Sequence, residues 1–266
     1  MNFLNKLVEI LSTQMTKPTL FGWFHLMFLA ITFAVAILLC VLYKKGVIKN
    51  VRKVILITSI TVITLEVYKL FICGIHYGGA EFYSFPWFYL PWQFCSTPMF
   101  IGLIAGLTKG KFHNWMCSFL ATFAVFAGTA VMLYPGDVFV TKIGLNIQTM
   151  ICHGSMIVIG IFLYYTNHVK TEFKTLLKAI PTFATCLTLA VILNEIAGKI
   201  DPVKYNFNLF YVSRYQVGFL PIYSSIQSKI PFIWGLVVYV VGFTVLAGLI
   251  LLIATGIKVL GKKIKK

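Results

Sequence analysis

The chain predicts an all-α fold: a polytopic membrane bundle of seven transmembrane helices, N-terminus outside and C-terminus inside. Three observations predict it. Hydrophobic residues make up 59% of the 266, and charged residues only 11%, where soluble domains carry about 25%. Apolar stretches of about 20 residues follow one another along the whole chain, the length that crosses roughly 30 Å of hydrocarbon. The alternating segments of about ten residues that mark a membrane β-barrel do not occur.

In chain order, residues 1–17 open the protein. Their apolar positions Phe3, Leu4, Leu7, Val8, Ile10 and Leu11 predict a short amphipathic helix lying on the membrane surface. The spans follow at 20–43, 54–73, 88–107, 115–133, 147–165, 176–197 and 231–257. The first has neither a compact basic flank nor a small-residue cleavage site, so it is expected to stay as a span. Residues 1–266 are expected to form one integral membrane domain, with 198–230 as a long outer loop.

Charge sets the orientation. The net charge is +16, and the cations cluster behind alternate spans. Lys44, Lys45, Lys49, Arg52 and Lys53 follow the first, and Lys109 and Lys111 the third. Lys170 and Lys174 follow the fifth, and Lys258, Lys262, Lys263, Lys265 and Lys266 the last. The intervening loops hold Glu81, Asp137 and Asp201. The positive-inside rule then places the C-terminus in the cytoplasm of a multi-pass protein of the cell membrane. The basic tail reads as an anchor to anionic headgroups, and no nucleic-acid partner is expected. No motif speaks to oligomeric state.

Orientation converts position into depth. Cys95 lies about seven residues into the third span and His153 about six into the fifth, each roughly 10 Å below the outer surface. His25 in the first span lies at similar depth. Glu66 and Lys69 fall in the outer half of the second span, and Asn194 and Glu195 at the outer end of the sixth. Polar groups in hydrocarbon cost a few kcal/mol each unless paired or facing a wet cavity, so one shared polar layer is expected. Within it, Glu66 and Lys69 are three apart and suited to neutralise each other. His25 also suits a purely structural histidine.

A thiol and an imidazole at one depth suit nucleophilic acyl chemistry, with Cys95 as nucleophile and His153 as general base. Gln93, Ser96 and Thr97 are positioned to support an oxyanion, and Glu66 to orient the imidazole. The depth matches the ester bonds of membrane phospholipids. The aromatic loop 198–230 reads either as an interfacial belt or as a lid, with Arg214 meeting a phosphate headgroup. Cys152, beside His153, is a second thiol candidate or simply core. The cysteines show no CxxC and no zinc-type spacing, so neither a metal nor another cofactor is expected.

Three segments carry a family resemblance: Phe21-Gly22-Trp23-Phe24-His25-Leu26, Leu90-Pro91-Trp92-Gln93-Phe94-Cys95, and His153 in the fifth span. A fourth is Asn206-Phe207-Asn208-Leu209-Phe210. Together they resemble the YwaF-like family of bacterial integral membrane proteins, in which a histidine stands where this chain has Gln93. That family is related to a eukaryotic transmembrane phospholipid acyltransferase. The resemblance implies a cysteine role for Cys95 and a base role for His153, and adds His25 and Asn208 to the site. With Lys69, Asn194 and Arg214 they make up the expected substrate-binding set. A small-solute permease or ion-coupled carrier, or a non-catalytic lipid-binding protein, would use the same polar layer, the second without a nucleophile.

Overall fold

A computed structural model of the chain describes residues 3–75, 83–216, 218 and 220–264. Glu81, Phe219, Lys265 and Lys266 lie outside the described residues. Helices dominate: α1 (Phe3–Leu11), α2 (Trp23–Lys44), α3 (Val51–Gly74), α4 (Thr97–Leu107) and α5 (Gly110–Phe119). A π-helical turn, Leu120–Ala124, carries α5 directly into α6 (Val125–Leu133). Then come α7 (Ile143–Tyr165), α8 (Phe173–Ile200), α9 (Pro221–Gln227) and α10 (Phe232–Ile264). Among the described residues β pairing is limited to isolated bridges, Gln14 with Lys142 and Ile75 with Tyr83.

Among the described residues, six helices are long and apolar enough to cross a membrane: α2, α3, α5–α6, α7, α8 and α10. Large apolar side chains on their outer faces, such as Trp23, Ile37, Ile57, Val241 and Leu252, are exposed. Such faces suit lipid, where backbone groups must be satisfied within each helix. The chain is thus a multi-pass membrane protein.

The expected third span, 88–107, differs from the other six. Only Thr97–Leu107 is α-helical, after a single 3-10 turn at Trp87–Tyr89. Eleven residues rise about 17 Å, roughly half the hydrocarbon thickness. Pro86 and Pro91 explain the break. Each lacks an N–H and pushes the preceding residue out of the helical region, whereas Pro98, in the first turn of α4, suits a helix start. The remaining half is irregular backbone inside the bundle, tolerated at membrane depth only where protein or a wet cavity surrounds it.

End-to-end contacts fix the order of the helices. At one end Arg52 donates to the Thr108 carbonyl (3.2 Å), His113 meets His168 (2.6 Å) and Lys258 donates to Asn167 (2.7 Å). That end gathers Lys44, Lys45, Lys109 and Lys111 and is called the basic end here. At the other, the Tyr68 hydroxyl donates to Leu11 O (2.6 Å), and Met15 N to Thr141 O (2.7 Å). The half-helix α4 packs along α3 and ends beside its N-terminus. Successive segments therefore alternate in direction.

An aromatic stack fills the interior beside the broken segment. Phe183 of α8 stacks on Phe123 of the π turn (4.4 Å), and Tyr239 on Phe243 of α10 (4.3 Å). Phe94 meets Phe183, Phe210 and Phe243 within 5.8 Å. Each such pair adds about 0.5–1.5 kcal/mol beyond its area. Phe94 precedes Cys95, so this stack anchors the irregular backbone on one side of the thiol.

Candidate active site

Cys95 lies in the irregular stretch two residues before α4. It is deep within the bundle yet keeps some accessible surface. Thr97 donates to Phe94 O (3.1 Å). The turn is held by Ser96 and Thr97 N–H groups donating to Gln93 O, both at 2.9 Å.

One face of α7 meets this turn. Cys152 Sγ approaches the Cys95 carbonyl oxygen at 3.9 Å. One turn earlier, Gln148 donates to Glu66 of α3 at 2.9 Å. Glu66 is 3% exposed and pairs with Lys69 at 2.5 Å, while the Lys69 ammonium also lies 5.9 Å over the Tyr89 ring. Desolvated ions require such partners. Cys95, Cys152 and His153 all lie within the electrostatic reach of Lys69.

His153 stands about 100° around α7 from Cys152, where its backbone carbonyl packs on Gly128 of α6. Its Nδ1–H donates to Thr149 O at 2.7 Å, which leaves Nε2 as the acceptor nitrogen. That Nε2 is buried and has no hydrogen-bond partner among the described residues. Buried polar atoms are rarely left so. The residue brought into contact with the Cys95 turn is thus Cys152, with His153 one step round the same helix.

The other expected site residues are engaged in holding backbone. His25 Nδ1 accepts from Phe21 N (3.0 Å), and Nε2 donates to Met132 O (2.8 Å). Gln93 donates to Asn208 O (2.8 Å) and accepts from Phe210 N (2.9 Å). Asn194 clasps Leu209, donating to its carbonyl and accepting from its N–H, both at 2.9 Å. Asn208 accepts from Ser213 N (2.8 Å) and donates to Gln216 O (3.2 Å). Arg214 pairs with Glu195 (2.7 Å) and lies 4.1 Å over the Phe232 ring.

These bonds fasten the middle of the long loop into the bundle. Leu209, Phe210 and Val212 are fully buried, while Val203 and Ile222 elsewhere in the loop are exposed. Phe210 and Tyr211 have φ of 55° and 56°. Two successive non-glycine residues there cost about 1–3 kcal/mol each and persist only where surroundings impose them. Burial, with smaller contributions from Cys95 and Asp137, pushes the Tyr211 phenol up to about 12. It therefore stays protonated beside the thiol. Tyr239 is also within electrostatic reach of Cys95, and its hydroxyl is buried with no partner.

A small cavity of about 30 Å³ opens on the far side of Cys152, lined also by Ser59, Pro98, Gly102 and Ser155. Toward the end opposite the basic one, a cleft of about 400 Å³ is lined by Cys73, Trp87, Tyr89, Lys204 and Asn206. Gln148, Tyr211 and Tyr239 were not foreseen as members of this centre. The signal for Gln148 was present: it is a buried polar residue one helical turn before Cys152 on a membrane-spanning helix. Also unforeseen, where no metal ligand was expected, is a cluster at the basic end of His113, Cys117 and His168, with donor atoms within 4.8 Å of one another.

Among protein families, the model of the TMEM164 family, a transmembrane protein family, matches residues 20–255. No curated protein and no solved structure matches the chain. The matched region contains α2 to α9, the broken segment, Cys95 and His153, and most of α10.

Proposed function

The chain belongs to the TMEM164 family, and from that premise we propose that it is a membrane-embedded acyltransferase or acyl hydrolase acting on phospholipid esters, with Cys95 as nucleophile. One observation carries the reading: a thiol with accessible surface and a buried imidazole nitrogen with no partner lie within reach of the same Lys69 ammonium. The YwaF-like resemblance and its relation to a phospholipid acyltransferase point the same way.

In this mechanism His153 Nε2 takes the Cys95 proton as sulfur attacks the ester carbonyl. The tetrahedral intermediate collapses, the C–O bond breaks, and the proton passes from His153 to the departing lysolipid oxygen. A thioester remains on Cys95. Water, or the hydroxyl of a second lipid, then loses its proton to His153 and attacks the thioester, which releases the thiol. The Tyr239 hydroxyl is the donor for the oxyanion, since it is protonated, desolvated and unpaired. The Thr149 carbonyl holds the imidazole tautomer. Lys69 attracts the phosphate of the headgroup. The distribution of basic loops supports an acting face in the outer leaflet of the cell membrane.

The experiment is lipid turnover by the purified protein in phospholipid bilayers, followed by mass spectrometry of lysolipids and fatty acids. Wild type and Cys152→Ala are expected to turn over lipid, and Cys95→Ala and His153→Ala to lose it. Turnover unchanged in Cys95→Ala defeats the proposal. Solute uptake into the same vesicles that survives Cys95→Ser and is lost in Glu66→Gln would replace it with a carrier.

A further inference from the structure

His113 and Cys117 stand one turn apart on the same face of α5, and His168 reaches them from the turn between α7 and α8. His113 Nδ1 bonds the Ala105 carbonyl of α4 at 2.7 Å, so Nδ1 carries the proton and Nε2 presents a lone pair. That Nε2 lies 2.6 Å from His168 Nε2 and 3.5 Å from Cys117 Sγ. From these observations we propose that His113 Nε2, Cys117 Sγ and His168 Nε2 form a binding site for one soft transition-metal ion of the Zn(II) class.

The chemistry selects the ion. Two imidazoles and a thiolate, with no carboxylate among them, suit zinc and its neighbours rather than calcium or magnesium. A tetrahedral ion with bonds of about 2.0–2.3 Å holds such donors about 3.3–3.6 Å apart. The His113–Cys117 separation already fits. The two imidazoles must part by under about 1 Å, and His168, exposed on a turn, is the one free to move. The His113–Ala105 bond is the outer-sphere contact that fixes a ligand tautomer and ring plane. Arg52 adds positive charge at His168, which opposes a dication, so Cys117 must bind as thiolate to offset it.

Bound metal would tie α5 to the α7–α8 turn and, through Ala105, to the end of α4. The other end of α4 begins two residues after Cys95, about 12 Å away along the helix from Ala105. The site is thus separate from the acyl centre and stands or falls independently of it.

The test uses the full chain, purified in detergent, stripped with chelator, and titrated with Co(II) and then Zn(II). Wild type is expected to bind one Co(II) with the absorption bands of tetrahedral coordination and a sulfur-to-cobalt charge-transfer band, both abolished by Zn(II). Cys117→Ser should lose the charge-transfer band while Cys95→Ser keeps it. His168→Ala, altering an exposed side chain and so sparing the fold, should bind at least about tenfold more weakly. Wild type without cobalt bands at stoichiometric metal, or with the same spectrum and affinity in His168→Ala and Cys117→Ser, overturns the proposal.

Discussion

Removing the Asn194 clasp tests how the Cys95 turn is held. Asn194 is 3% exposed and makes both bonds to Leu209, which is itself fully buried. Asn194→Ala leaves a backbone N–H and a C=O desolvated and unpaired, at about 1–3 kcal/mol each. The raw cost is about 2–6 kcal/mol. Release of the left-handed Phe210 and Tyr211 returns part of that, because the strain relaxes once the loop leaves the bundle. A net loss of about 2–3 kcal/mol is expected. Because Gln93 ties the same loop to the residue pair before Cys95, the variant should also turn over lipid more slowly although Asn194 touches no reacting atom. The assay is reversible unfolding in mixed micelles, followed by tryptophan fluorescence, beside lipid turnover. A stability change under about 0.5 kcal/mol would refute the clasp as the loop's fastening.

Other substitutions probe other joints. Glu66→Gln and Lys69→Met should each destabilise by several kcal/mol, since either leaves the other desolvated partner uncompensated; the double variant should lose less than their sum in a mutant cycle, and strict additivity would refute the pairing. Gly128→Ala places a Cβ 2.5 Å from His153 O and 2.9 Å from Met156 Cβ. It should force α6 from α7, lower stability by about 1–3 kcal/mol in the same unfolding assay, and slow turnover. Single cysteines introduced at Lys45 and Lys258 should react with an impermeant maleimide from the cytoplasmic side, and one at Lys204 from the opposite side; labelling of Lys45 and Lys258 positions from different sides would refute the alternating path.

Much of this architecture is legible in the chain. Six of the seven expected spans correspond to helices of membrane-crossing length, because long apolar runs between basic loops carry their own signal. The segment 88–107 is apolar enough to read as a helix, and hydropathy outweighs Pro86 and Pro91, which keep its first half from being one. The pairing of Glu66 with Lys69 followed from helical spacing. What depth could not supply was azimuth. Cys152 and His153 share a depth, yet 100° of helix rotation gives Cys152 the contact with the Cys95 turn. Gln93 and Asn208 were placed at the site by type and motif, but their partners lie 115 and 8 residues away. The bonds linking Gln93 and Asn194 to the loop depend on how it re-enters the bundle, which no local pattern encodes. His113 and Cys117 had helical ligand spacing, but His168 completes the cluster only through the packing of α5 against the turn after α7.

Covalent catalysis requires that Cys95 itself carry the acyl group. The most direct measurement is mass spectrometry of the protein quenched in acid during turnover of a phospholipid. A fatty-acyl mass is expected on the peptide containing Cys95, removed by neutral hydroxylamine, retained in Cys152→Ala and absent in His153→Ala. Acylation of Cys152 instead, or turnover with Cys95 unmodified at every time point, would contradict it.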